Sequence, residues 1–172
     1  GQALDHVGRR LGVVFDHEGK GYVSWGKSIT RFTLDGKNEV WTETGAPNGH
    51  KILADGTHLV CDASHHAVLH LAADGKQLDP ASKECDGKPL RGPNDLTLDT
   101  PNGGFYFSDP GGSSLANPIG TIHYVDKAGK TTLLEFLRRM LFGVGSAVAG
   151  PSYAPLAGGP YRGRLRLEGS DG

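Results

Sequence analysis

Short runs in which every second residue is apolar recur along this chain, each closed by Gly, Asp or Asn. Gly12-Val-Val-Phe-Asp16, Tyr22-Val-Ser-Trp25, Ser28-Ile-Thr-Arg-Phe-Thr-Leu34 and Glu39-Val-Trp-Thr42 form a first set. Asn48–Leu53, His58–Asp62 and Ala67–Leu71 form a second. Asn94–Leu98, Phe105–Asp109, Thr121–Val125 and Thr131–Leu134 form a third. Alternation over so few residues, with turn formers between the runs, predicts strands rather than helices.

The sets superpose on their glycines. A first turn falls at Gly19, Gly56 and Gly103, and a second at Gly36, Gly75 and Gly129, the second always followed by Lys. Equivalent turns are 37 and 47 residues apart in the first series, and 39 and 54 in the second. About four strands per repeat of this length is the pattern of a β-propeller blade, a unit that needs a neighbour on each side to bury its faces. The fold class expected is therefore all-β, a β-propeller with about three blades present: three antiparallel four-stranded sheets side by side around a partial axis. A sandwich of unrelated hairpins would not repeat its Gly-Lys turns.

The first strand of each blade faces the central channel, and its leading residue lies at the channel mouth. Those residues are Leu11, Asn48 and Asn94. In the third set, Pro93-Asn94-Asp95 opens a hairpin turned by Pro101-Asn102-Gly103-Gly104. An amide beside a carboxylate at a strand mouth can serve a hard cation or a hydroxylated substrate, or can simply shape the turn.

Composition removes several classes. The 172 residues carry a net charge of −1, so no global field directs the chain to nucleic acid. No apolar run is long enough to span a membrane. The chain starts with Gly and shows no signal-type segment before its first strand, as expected of a mature, processed or partial chain. Cys61 lies in a strand and Cys85 in a loop, which leaves both a free pair and a bridge open. His58, His65, His66 and His70 do not have the ligand spacing of a zinc site and read as surface histidines. Ser24-Trp25-Gly26 and Gly112-Ser113-Ser114 lack the strand–elbow–helix setting of a hydrolase serine.

Pro47-Asn48-Gly49, Asp55-Gly56, Leu59-Val-Cys-Asp62, Gly87-Lys-Pro-Leu-Arg91, Pro93-Asn94-Asp95-Leu96 and Phe105-Tyr-Phe-Ser-Asp-Pro110 together resemble the gluconolactonase, SMP-30 and luciferin-regenerating-enzyme family. The resemblance covers about residues 11 to 134. It implies a six-bladed propeller with a divalent cation, usually Ca²⁺, in its tunnel, and hydrolysis of sugar lactones or related esters. By that resemblance Asn94 is a metal-binding amide, Asp95 the catalytic carboxylate, and Arg91 and Asn48 contact the substrate. The Glu that the family carries on its first blade would fall at Leu11 and is absent. Glu18, at the far end of that strand, cannot replace it. The amide and carboxylate of the family's fourth and fifth blades have no counterpart.

After Leu134 the pattern stops. Residues 1–130 hold nine Lys and four Arg, residues 138–172 hold five Arg and no Lys, and all eight His precede Lys130. This divides the chain into a partial propeller, 1–134, and a tail, 135–172, without family match. A frameshift or truncated gene model accounts for such a break better than a divergent extension. Within the tail, 135–142 reads as a short helix and the remainder as poorly ordered. The expectation is a calcium-dependent sugar-lactone hydrolase by resemblance, present as an incomplete and inactive chain that self-associates through open blade edges. The alternatives are a non-catalytic propeller segment for protein binding, or a related ester or phosphotriester hydrolase.

Overall fold

The computed structural model describes residues 12–134, and its described residues form strands and no helix. β1 (Val13–Phe15), β2 (Gly21–Trp25), β3 (Ser28–Phe32) and β4 (Asn38–Glu43) make a first antiparallel sheet in chain order. β5 (Pro47–Ile52), β6 (His58–Asp62) and β7 (Ala67–Leu71) make a second. β8 (Glu84–Cys85) and β9 (Lys88–Pro89) form a small separate ladder. β10 (Leu96–Asp99), β11 (Gly104–Asp109), β12 (Thr121–Val125) and β13 (Thr131–Leu133) form a third sheet, again in chain order. The six glycines that align the repeats all have φ between +74° and +92°, which a side chain would strain.

Two details differ from the sequence reading. The second sheet has three strands, not four. Its outer edge is reduced to single bridges, Leu71 to Gln77 and Val68 to Ser82. Asp79-Pro80 interrupts the ladder between them, because proline has no N–H to donate. Asn94 and Asp95 also precede β10 rather than belonging to it. They still extend its pairing, since Asn94 N–H donates to the Ser108 carbonyl (2.9 Å) and Ser108 N–H to that of Asp95 (3.0 Å).

The sheets stack through alternate residues. One face of the first sheet, with Val14, Tyr22, Ile29 and Trp41, meets the face of the second that carries Ile52, Val60, Leu69 and Leu71. The other face of the second sheet, with Leu53, Leu59, Cys61 and Val68, meets Leu96, Leu98, Phe105, Phe107 and Val125 of the third. Cys61 and Cys85 are both buried and free.

The first of these interfaces contains two buried histidines, which corrects the surface reading of His58. His50 Nε2 and His58 Nδ1 lie 2.8 Å apart, a hydrogen bond that needs one ring to donate and the other to accept. The Trp41 ring lies over both, 4.4 Å from His58 and stacked on His50, and Tyr22 meets them edge-on. Burial pushes His50 down to about 3, with the neighbouring charges of His58 and Lys51 adding to the effect. Burial pushes His58 down to about 4 against the opposing pull of Asp16.

Both rings are thus neutral in the folded state, whereas an unfolded histidine takes up a proton near pH 6.5. The unfolded chain binds more protons below that pH, so stability is fully present above about 6.5 and is lost as pH falls toward the depressed folded values. The urea midpoint, read by tryptophan fluorescence, is expected to fall steadily from pH 7 to pH 4.5. In the double variant His50→Gln/His58→Gln that slope flattens, leaving the smaller contribution of His123, which burial also lowers. An equal slope in the double variant would refute the assignment.

Candidate functional site

Two chain segments reach the mouth in the same way. Ala46-Pro47-Asn48-Gly49 leads into the second sheet and Gly92-Pro93-Asn94-Asp95 into the third. Each hangs from a buried carboxylate at the end of the neighbouring strand. Asp62 Oδ2 accepts the Ala46 N–H (3.0 Å), while its Oδ1 accepts the His65 N–H (2.9 Å) and the His65 Nδ1–H (3.1 Å). Asp109 accepts the Arg91 N–H (2.9 Å) and the Gly92 N–H (2.6 Å). Burial alone would raise the Asp62 carboxyl, but hydrogen bonds from Thr44, Ala46 and His65 outweigh it and the net shift is downward. In the first sheet the equivalent strand end is Trp25, exposed and without a carboxylate.

The anchored segments bring two of the expected site residues into contact. The Asn48 side-chain amide donates to Asn94 Oδ1, and the Gly49 N–H donates to the Asn94 carbonyl (2.8 Å). Gly49 is required here, because a Cβ would lie 2.6 Å from both the Cα and Oδ1 of Asp95. Asp95 is exposed. Its Oδ1 accepts the N–H of Leu96 (2.8 Å), and the residue borders an open hollow of about 230 Å³ that also touches Tyr106 and Ile122. Arg91 is fixed differently. Its guanidinium donates to the Ile119 carbonyl and its side chain lies across Gly111, so its charged end engages the loop after β11 rather than the two amides. Glu18 sits in the β1–β2 turn, paired with Lys20 at 2.5 Å. Leu11 and the tail from 135 onward lie outside the described residues.

Ca²⁺ takes six to eight oxygens, with carboxylates supplying most of the charge. Here one of the two lone pairs of the Asn94 amide oxygen is taken by Asn48, and the described residues contain no group of three or more His, Cys, Asp or Glu able to hold a metal. These residues alone do not fit a Ca²⁺ site. The roles of Asp62 and Asp109 escaped the sequence reading. Their signal was present in it, as a carboxylate fourteen residues after Asn48 and fifteen after Asn94, each Asn preceded by Pro.

Stacked sheets that present loop amides at one mouth define a partial β-propeller. The sequence model of the SMP-30/gluconolactonase/LRE-like family matches residues 15–144, and the chain belongs to that family. The match runs past Leu134, where the repeat reading ended. A comparison with curated proteins finds no match. Among solved structures, a gluconolactonase from Xanthomonas campestris aligns with TM-score 0.62 and 20% identity over 71% of this chain and 46% of its own. A second structure described as a gluconolactonase gives TM-score 0.62 and 20% identity over 71% and 47%. A nidogen/laminin complex gives 0.57 and 22% over 72% and 47%. At these identities the likeness is one of fold. The chain spans about half the length of the structures it matches.

Asp109→Asn is expected to cost about 1–3 kcal/mol, since it replaces an acceptor of two N–H groups with a half-donor. It should also shift the side-chain amide resonances of Asn48 and Asn94 in ¹H–¹⁵N spectra. Asp79→Asn, at an exposed loop position, should do neither. Unmoved Asn resonances in Asp109→Asn would show that the carboxylate does not set the mouth.

Proposed function

We propose that this chain carries the amide side of a lactone-hydrolase site of the gluconolactonase type, acting on a small sugar lactone and dependent on Ca²⁺. The observation that carries the reading is the contact between Asn48 and Asn94, made where two inner strands of a family member come within backbone hydrogen-bond range. Asn48 and Asn94 would bind the substrate's oxygens or a metal. The exposed carboxylate of Asp95 would take the proton of an attacking water. Arg91 would act on the substrate only after leaving the Ile119 carbonyl.

The donor set is one-sided, with two neutral amides and one carboxylate. Residues 1–172 alone are therefore expected to bind no Ca²⁺ tightly and to hydrolyse no lactone above background. Leu11→Glu should not restore either property, because it adds one carboxylate to a site that needs several further oxygens. Calorimetry with Ca²⁺ and a pH-stat assay on gluconolactone test this. Micromolar Ca²⁺ binding, or turnover that disappears in Asn94→Ala, would overturn it.

A second reading, a propeller segment that binds protein, is favoured by the apolar residues exposed on the first sheet, Val13, Phe15, Trp25 and Val40. It predicts binding indifferent to chelators. An ester or phosphotriester hydrolase on the same scaffold would differ only in substrate profile.

A further inference from the structure

Asp62 and Asp109 perform one task at equivalent strand ends, yet their surroundings differ at a single point. Asp109 holds its mouth segment through the backbone N–H groups of Arg91 and Gly92, and the third residue after it is Gly112. Asp62 holds Ala46 in the same manner, but the third residue after it is His65, whose ring the carboxylate also grips. Anchoring a mouth segment therefore does not require an imidazole. The histidine is an addition to the repeated scaffold, present on the second sheet alone among those described.

The addition has a defined geometry. An ionised carboxylate only accepts, so the 3.1 Å contact places the ring proton on Nδ1 and leaves Nε2 with its lone pair. The backbone N–H of His65 reaches the same oxygen (2.9 Å), which fixes the ring against its own main chain. Asp62 is fully buried, and its net downward shift keeps it ionised at neutral pH. The imidazole itself is 42% exposed. It stands beside the mouth, since Ala63 N–H donates to the Ala46 carbonyl (3.2 Å) and a Cβ on Gly45 would lie 3.5 Å from His65 Cε1. His66 is a built-in comparison. Its Nδ1 donates to the Arg91 carbonyl (2.7 Å), which sets the same tautomer against a neutral acceptor. Among the described residues, His65 is the one histidine in contact with a carboxylate. A carboxylate behind Nδ1 holds the tautomer with a bare Nε2 and stabilises the positive charge that forms on the ring when Nε2 makes a bond.

The geometry points to His65 Nε2 as an acyl-accepting nucleophile at the edge of the mouth, with Asp62 as its positioning residue and activated carboxylic esters, those of phenols, as its reactants. The Nε2 lone pair bonds to the ester carbonyl carbon. The bond from that carbon to the aryl oxygen breaks, and the phenolate leaves with the electron pair. The acyl-imidazolium is paired with Asp62 through Nδ1–H. Water then attacks the same carbon, the C–N bond returns its electrons to Nε2, and the carboxylic acid leaves, giving its proton to solvent. A phenolate departs readily from such an attack, whereas the alkoxide of a sugar lactone does not. This inference needs no metal and does not rest on the lactonase reading.

His17 and His66 are exposed as well, so exposure alone would make all three histidines react alike. The full chain, treated with diethyl pyrocarbonate in the presence of EDTA and mapped by peptide mass, is expected to carry the label on His65 several-fold ahead of His17 and His66. Under the same conditions it should release p-nitrophenolate from p-nitrophenyl acetate. That release should be lost in His65→Gln and unchanged in His66→Gln, each with its strand signal intact by circular dichroism. Long-range ¹H–¹⁵N spectra at pH 8 should show the His65 proton on Nδ1. Labelling of His65 no faster than of its neighbours, equal release in His65→Gln, or a proton on Nε2 would overturn the inference. A His65→Gln chain that lost its strand signal would make the ring part of the anchor and would overturn it equally.

Discussion

A sheet with apolar residues on both faces cannot be left half covered, and this requirement governs the molecule. Among the described residues, the second sheet is the one that packs against a sheet on each side. All five residues of its central strand β6 are buried, whereas β1, at the end of the row, alternates between exposed and half-buried. Burial of a Val or Leu side chain contributes about 1.5–3 kcal/mol. The stabilising energy is therefore concentrated in the middle of the row and falls away toward its ends. The end sheets owe their order to the faces they turn inward.

The mouth depends on this layering at one remove. Asp62 and Asp109 close strands whose sides are packed, so each carboxylate is held still and kept from water. A fixed acceptor can then orient the backbone N–H groups of a loop that has no ladder of its own. The loops, in turn, bring Asn48 and Asn94 together. Removing the packing would free the carboxylates before it touched the amides. The chemistry at the mouth is a product of the core as much as of the loops that carry it.

What the sequence revealed was local, and what it concealed was relational. The turn glycines are legible because positive φ is a property of one residue, and the strands because alternation is a property of five or six. The reduced edge of the second sheet followed from Asp79-Pro80, which the repeat pattern passed over. His58 was misread by residue type, and its partner His50 was not singled out at all. Their spacing from Ile52 and Val60, two residues in each case, already put them on the covered face. Asn48 and Asn94 could be picked out as mouth residues, but their contact joins positions 46 residues apart and exists only once two sheets have docked. The same holds for the Arg91 guanidinium, whose carbonyl partner lies 28 residues away in a loop without periodicity.

Gly12 and Gly49 have a significance beyond the flexibility usually granted to glycine. Neither adopts a left-handed conformation, and each faces the backbone of the next inner strand, where a Cβ would lie 2.7 Å from the Asn48 carbonyl oxygen or 2.6 Å from the Asp95 Cα. They act as spacers of zero thickness. The bore of the central channel is set by how closely consecutive inner strands approach. A single methyl group at either position would force the facing segments apart, and the contact between Asn48 and Asn94 would lengthen with it.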